Sequence, residues 1–584
     1  MRSCFTIALF FVSISSLSAQ YYLRGVVKDE KGKTLSGAKI HIKTKGMLDF
    51  ASGDDGSFGL PTPKAVDTLT VIMDGFETFQ GAVATNAFQT ITLKITRGTS
   101  IEMQTRLTSL TKNLDLAKDI ITKTDMGESY NNLIENCFVN AATNPETGFA
   151  LNIDRASYSH IRRFIYNKFK PPTQVVRVEQ MLNYFNLKPA SAANDDTKKF
   201  NFNSQITNCP WNANNQLMFV NLRAPMLNLD SVPPSNLVFL IDVSGSMDQP
   251  NRLPLLQSAF KLLVNNLREQ DNISIVTYGG GVHVLLYPTS GAEKKKIIEV
   301  IDKLYADGDT PGSGAIRTAY YIAKTKFDKK ANNRVIIATD GDFNVGQSND
   351  QELEDMIISQ KQTGVCLTCL GVGMGNFKDS KLETLARQGN GNYAYLDNIE
   401  EAEKVLVTEF TKTLYNVAEN AYVNVVFNPA MVAKYRLIGF DNPREVISDT
   451  SNKLLGGEVG SGHDLMAVFE VEPNKNATTN GGNYATLNLQ YQPPKSKEVI
   501  KQAFPIPNAT KDLMSADSAY RFATAIAMYG SILRGSPYIK GTTFENVIQL
   551  AQSSALAGNI AQKEFIGVVD KSDAIFNPGK KKRK

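Results

Sequence analysis

One tryptophan, four histidines and five cysteines are all that 584 residues hold of those three types. So few histidines exclude a multi-histidine metal enzyme, and so few cysteines exclude a disulfide-dense scaffold. Beyond the first twenty residues, no stretch approaches the roughly 18 apolar residues that a membrane span requires. The phosphate loop Gly-x4-Gly-Lys-Ser/Thr and the zinc-protease motif His-Glu-x-x-His are both missing. What is there is ordinary for a globular chain: 42% hydrophobic and 21% charged residues, enough apolar content for folded cores and too little charge for wholesale disorder. At about 150 residues per domain, the length suggests three to four domains. The formal charge of +5 is matched by the terminal run Lys580 to Lys584, so the remainder is close to neutral. That tail reads as a solvated end, and a nucleic-acid-binding body is not indicated.

Met1-Arg2, the apolar stretch Phe5 to Val12 and the small residues Ser13 to Ala19 read as a secretory signal peptide cut after Ala19. The expected destination is the periplasm or the extracellular surface. Cys4 precedes the apolar run, which argues against a lipoprotein anchor; an uncleaved N-terminal anchor is the alternative. Export leaves Cys137, Cys209, Cys366 and Cys369, whose pairing the sequence does not assign. Cys366 and Cys369 have redox-motif spacing but lie in an apolar run that reads as a buried strand. Residues three apart on a strand face opposite ways, so a structural role is favoured.

Residues 20–97 alternate apolar and polar positions between turn signals, the pattern of a small antiparallel β-sandwich. Residues 98–145 read as a partly helical linker. Residues 146–234 hold a strand, two helices and two further strands. Arg162, Arg163, Lys168 and Lys170 lie among aromatic residues there and read as a solvated basic face over an aromatic core. From 235 to 412 strands alternate with helices, which argues for a parallel, doubly wound sheet covered on both faces. Residues 413–576 return to strands and close with helices near 516–533, 544–556 and 561–569; residues 577–584 are the basic tail. Strand-like stretches on both sides of the α/β block suggest that it is inserted into a second β-sandwich. The fold class expected is thus multidomain: an N-terminal antiparallel β-sandwich, then a doubly wound α/β domain inserted in a second β-sandwich, with C-terminal helices.

The first α/β strand, Leu237 to Ile241, ends at Asp242-Val-Ser244-Gly-Ser246. Ligands of parallel sheets bind beyond the carboxyl ends of the strands, so these side chains share a functional edge. Thr310 and Asp340 come from corresponding edges. Hydroxyls and carboxylates are hard donors, suited to magnesium, with calcium or manganese as alternatives, and two carboxylates leave room for water or an incoming ligand.

Asp-x-Ser-x-Ser after a buried strand, with a distant Thr and a distant Asp, resembles the metal-ion-dependent adhesion site of von Willebrand factor type A domains. The resemblance places Asp242, Ser244, Ser246, Thr310 and Asp340 on its five positions. Asp309 stands where a small residue commonly precedes the Thr, which makes it an additional candidate ligand. The flanks 151–165, 176–185, 209–211, 427–440, 456–471 and 520–536 resemble one group of exported bacterial type A proteins with a distinctive N-terminal segment and a C-terminal domain. Gly25-Val-Val, Leu35 to Ala38, Asp54 to Phe58 and Asp74 to Phe76 resemble the carboxypeptidase regulatory-like domain, a module without peptidase chemistry. What the resemblance implies is a non-catalytic protein that binds a carboxylate-bearing protein ligand through a divalent cation.

Two other readings compete. One is a metal-dependent hydrolase or phosphotransferase using the same edge. Ser246 has no Gly-x-Ser-x-Gly elbow, none of His41, His160, His283 or His463 is placed as its base, and Ser244 stands where an Asp-x-Asp phosphotransferase carries its second carboxylate. Gly371-Val-Gly-Met-Gly375 is only a weak dinucleotide lookalike. The other is a structural assembly factor in which the metal is incidental. Oligomeric state is not legible.

Overall fold

The computed structural model describes residues 21–30, 32–46, 49–53, 55–73, 76–94, 128, 130, 133–190, 199–228, 232–308, 313–341, 356–360, 363–375, 377–409, 415–440, 457–475, 482–494 and 496–578. The signal segment, most of the linker, Asp54, Asp74, Asp309, Thr310 and the run Lys580 to Lys584 lie outside the described residues. The chain divides into two compact units, residues 1–106 and 107–584.

In the first unit, strand Tyr21–Asp29 pairs with Ser57–Thr62 and Phe88–Leu93, while Lys39–Ile42, Val66–Ile72 and their neighbours form a four-stranded sheet. Both sheets contribute to one apolar cluster that includes Leu23, Val27, Ile40, Leu69, Val71 and Ile91. The expectation of uniformly antiparallel pairing is corrected in one place: Tyr21–Asp29 and Phe88–Leu93 run parallel. These strands begin and end the unit and are joined by no hairpin, so nothing forces them to be antiparallel.

The second unit contains a six-stranded sheet in the order Val282–Ser290, Asn272–Tyr278, Ser235–Asp242, Asn332–Thr339, Cys366–Val372 and Tyr393–Leu396. The central strand Ser235–Asp242 is buried along its whole length. Alternation along a strand sends successive side chains to opposite faces. Accordingly Leu237, Phe239 and Ile241 pack with Leu256, Phe260 and Leu263 of the helix Leu253–Asn265, whereas Val238 and Leu240 pack with Ile316 and Ala319 of the helix Ser313–Thr325. A strand apolar at every position is thereby satisfied on both sides. One strand departs from the parallel expectation: Val282–Ser290 is antiparallel to Asn272–Tyr278, because the three glycines between them allow only a hairpin and no crossover. Cys366 and Cys369 lie on the strand Cys366–Val372 as a strand reading requires, with Cys369 in the core. None of the four described cysteines is joined in a disulfide.

The flanks join as one body. Strands Asn201–Asn208 and Gln216–Arg223, from before the α/β domain, share a six-stranded sheet with Asp464–Pro473 and Val432–Ile438, from after it. A second sheet built on Asn416–Phe427 and Asn483–Gln492 faces it across a core that includes Val220, Val423, Phe427, Phe469 and Leu487. The α/β domain is thus inserted, and its entry and exit chains are tied together. The Ser235 and Tyr415 hydroxyls lie 2.8 Å apart, and the Tyr415 hydroxyl also donates to the Pro233 carbonyl (3.2 Å).

Three helices, Ser518–Arg534, Phe544–Ser554 and Ile560–Phe576, form a bundle with Ala156–Tyr166 and Val178–Tyr184. The helix Ala156–Tyr166 has ten of its residues buried, because it is packed between the bundle and the α/β domain. This corrects the solvated-face reading for two of its basic residues. Arg162 pairs with Asp397, Glu401 (2.9 Å) and Glu564 (2.9 Å), and Arg163 with Glu128 (2.8 Å). Lys168 and Lys170 are exposed as expected.

Candidate metal centre

Asp242 is the last residue of the central strand and is wholly buried. Its Oδ1 accepts the Ser244 amide (2.9 Å) and the Ser244 hydroxyl (2.7 Å). Its Oδ2 accepts the hydroxyls of Tyr278 (3.1 Å) and Thr339 (2.8 Å), from the two strands flanking the central one. The Ser246 hydroxyl is 3.2 Å from that of Ser244, on a turn that ends in a short 3-10 helix, Gly245–Met247. Burial pushes the Asp242 carboxyl above its ordinary range; the Ser244 and Thr339 hydrogen bonds oppose that shift and the nearby Asp340 charge reinforces it.

Neighbouring loops hold this turn by backbone contacts. The Val243 amide donates to the Tyr278 carbonyl (2.8 Å), the Asp307 amide to the Val243 carbonyl (2.7 Å), and the Gly245 amide to the Gly308 carbonyl (3.0 Å). A Cβ at Gly279 would come within 2.7 Å of the Ser244 nitrogen, so the close approach of these loops requires glycine there. Asp340 closes the edge from the strand Asn332–Thr339; it is 4% exposed and its Oδ2 receives Arg252 Nη1 at 2.6 Å.

The structure therefore brings together Asp242, Ser244, Ser246 and Asp340. Asp309 and Thr310 lie outside the described residues, although the adjacent Gly308 abuts the Ser244 turn. Among the described residues, no group of three or more His, Cys, Asp or Glu side chains is placed to hold a metal. The donors at this edge are carboxylate and hydroxyl oxygens instead. The Asp242, Ser244 and Ser246 oxygens are linked by hydrogen bonds of 2.7 and 3.2 Å, so the three are held in one cluster. The donor set fits a hard divalent cation.

Sequence reasoning missed Tyr278, Thr339 and Arg252. A tyrosine and a threonine at the ends of apolar strands that flank the central one were the available signal for the first two. Arg252 left none. His160 also went unplaced: its Nε2 is 2.9 Å from Asp379 Oδ1, and Arg177 binds the other carboxylate oxygen at 3.0 Å. The His160 ring is 2% exposed and stacks on Tyr395 at 3.9 Å, so the pair is a buried structural contact, with burial pushing the imidazole pKa down.

A mostly parallel sheet with Asp-x-Ser-x-Ser at the end of its central strand defines a von Willebrand factor type A domain, a class of protein-interaction domains; the family profile of that domain matches residues 236–408. The profile described as von Willebrand factor matches residues 124–219, and that of the YfbK C-terminal domain matches residues 412–575. The chain belongs to the YfbK family of type A domain proteins: it is 36% identical to YfbK of Escherichia coli (strain K12) over 474 residues, which cover 76% of this chain and 81% of that protein. It is also 23% identical over 265 residues to human inter-alpha-trypsin inhibitor heavy chain H2, covering 44% of this chain and 26% of that protein. Among solved structures, a von Willebrand factor type A protein from Catenulispora acidiphila aligns with TM-score 0.38 and 15% identity, over 65% of this chain and 91% of that one. Among the described residues no helix is long and apolar enough to cross a membrane.

Proposed function

We propose that this chain is an exported, non-catalytic binding protein whose type A domain captures a protein partner through a divalent cation. The observation that carries the reading is the convergence of the Asp242, Ser244 and Ser246 oxygens where the central strand ends. Ser244 and Ser246 would hold magnesium, or calcium or manganese in its place, with Asp242 and Asp340 directly or through water and with Thr310 and Asp309 as further candidates. Bound there, the cation supplies an electrophilic coordination position for a carboxylate of the partner. Four hydrogen bonds anchor the Asp242 carboxylate, which orients Ser244 and carries charge that compensates the cation.

Ser246 is exposed while Asp242 and Ser244 are buried, which leaves the partner's approach on the Ser246 side. The non-catalytic reading is supported by His160, the one buried histidine among the described residues, being committed to a structural pair with Asp379. The N-terminal unit would serve as a contact module of the carboxypeptidase regulatory-like kind. Calorimetric titration with magnesium and manganese tests the proposal on wild type and Asp242→Ala. Uptake of one cation by wild type and none by the variant is expected; equal uptake by both would sink the metal site.

A further inference from the structure

Arg252 precedes the helix Leu253–Asn265 and reaches back over the candidate metal edge. Its Nη1 donates to the Ser246 carbonyl (2.6 Å) and to Asp340 Oδ2 (2.6 Å), while Nη2 donates to the Met374 carbonyl (2.8 Å). Met374 belongs to the turn Gly373 to Gly375, which follows the strand Cys366–Val372. That turn is gripped from the other side by groups outside the α/β domain. Arg163 Nη1 donates to the Gly373 carbonyl (3.1 Å), and Glu128 Oε1 accepts the Gly375 amide (3.0 Å). Glu128 Oε2 binds Arg163 Nη2 at 2.8 Å and the Tyr130 hydroxyl at 2.8 Å. Glu128 is 0% exposed and Arg163 is 6% exposed. Gly373 has φ +77°, and a Cβ there would lie 2.5 Å from Arg252 Nε, so the backbone of the turn is shaped around the arginine.

These contacts make one unbroken line, from the helix Ala156–Tyr166 through Arg163 and the turn to Arg252 and so to Asp340 and Ser246. We propose that Arg252 is a positioning residue for the cation site: a resident positive charge that shares the Asp340 carboxylate with the divalent ion, held to that task by the clamped turn. The inference rests on the metal-binding reading above and deepens it. A guanidinium and a divalent ion drawn to one carboxylate repel each other, so Arg252 weakens cation binding. A cation drawing on Asp340 weakens the bond from Nη1 to its one charged acceptor among the described residues. The arginine then leans more on two neutral carbonyls, and the turn it braces is held less firmly. By linkage, slackening the turn from the Arg163 side eases cation entry by the same route.

The test is manganese calorimetry on the full chain, comparing wild type with Arg252→Gln, Arg252→Lys, Arg163→Gln and Asp242→Ala, each checked for fold by circular dichroism. Arg252→Gln should bind manganese about tenfold more tightly than wild type, since a like charge is gone. Arg252→Lys keeps the charge and should stay near wild type. Arg163→Gln touches none of the metal-edge oxygens, yet should tighten binding by about threefold. Hydrogen exchange supplies a readout that a merely structural role would not move: manganese should speed exchange of the Gly375 amide in wild type and leave it unchanged in Arg252→Gln. Equal or weaker manganese binding by Arg252→Gln, where Asp242→Ala abolishes it, overturns the inference and leaves the metal site standing. Equal binding by wild type and Asp242→Ala overturns the metal site and this inference with it.

Discussion

Replacing Arg162 with methionine should loosen the join between the type A domain and the helical bundle. The guanidinium is 3% exposed and makes paired bonds to Asp397 (2.8 and 2.5 Å) and single bonds to Glu401, Glu564 and the Tyr184 hydroxyl. Methionine matches much of the stem but leaves Asp397 and Glu401, 7% and 4% exposed, facing each other without that cation. Removing one partner of a buried ion pair costs about 3–5 kcal/mol, a large share of the roughly 5–15 kcal/mol that keeps a domain folded. The loss should depend on pH. Burial already raises the Asp397 carboxyl to about 6 against the pull of Arg162, and without Arg162 it rises further. A carboxyl raised in the folded state contributes stability below its unfolded pKa and loses it as pH climbs through the folded value. The deficit should therefore be largest above pH 7 and shrink toward pH 5. The chain's one tryptophan is a convenient probe, because Trp211 packs against the cluster that contains Tyr184 and Phe565. Urea unfolding followed by its fluorescence at pH 7.5 and pH 5 measures both effects. A loss under about 1 kcal/mol at pH 7.5, or a deficit no smaller at pH 5, would refute the reasoning.

Asp242→Ala should abolish manganese uptake, and Ser246→Ala should weaken it by about tenfold or more, as read by calorimetry. Burial lowers the Lys404 ammonium to about 8, with its Nζ on the Tyr184 carbonyl at 2.9 Å. A lysine depressed in the folded state adds stability as pH rises from about 8 to its unfolded value near 10.5, so the melting temperature of wild type relative to Lys404→Met should rise over that window. Iodoacetamide should label the half-buried Cys137 and Cys366 before Cys209 and Cys369 in the native protein, because burial raises the Cys209 thiol to about 12 and Cys369 higher still; mass spectrometry of timed samples reads the order.

The core of the type A domain was plain in the sequence because Leu237 to Ile241 admits no other environment than a strand covered twice. Asp242, Ser244 and Ser246 were legible for a local reason: they sit within five positions of one another at the end of that strand. Arg162 and Arg163 misled for the opposite reason. At helical spacing beside aromatic residues they look like a wet face, and the carboxylates that bury Arg162 stand 235 and 402 positions away. Arg252 was invisible on the same ground, since its role is defined by Asp340 and Met374, 88 and 122 residues on. Charge pairing at such distances has no period, whereas hydrophobic alternation repeats every second residue and announces itself.

The tie between the Ser235 and Tyr415 hydroxyls has a mechanical meaning. Both chains that carry the type A domain leave the sandwich side by side, at the end of the central strand remote from Asp242, roughly 25 Å away for eight extended residues. A pull delivered at the Asp242 end travels lengthwise down that strand to a single root. The hydrogen bonds to its parallel neighbours Asn272–Tyr278 and Asn332–Thr339 then share the load in shear, all at once, instead of opening one after another like a zip. A domain rooted this way resists unfolding when pulled along that strand.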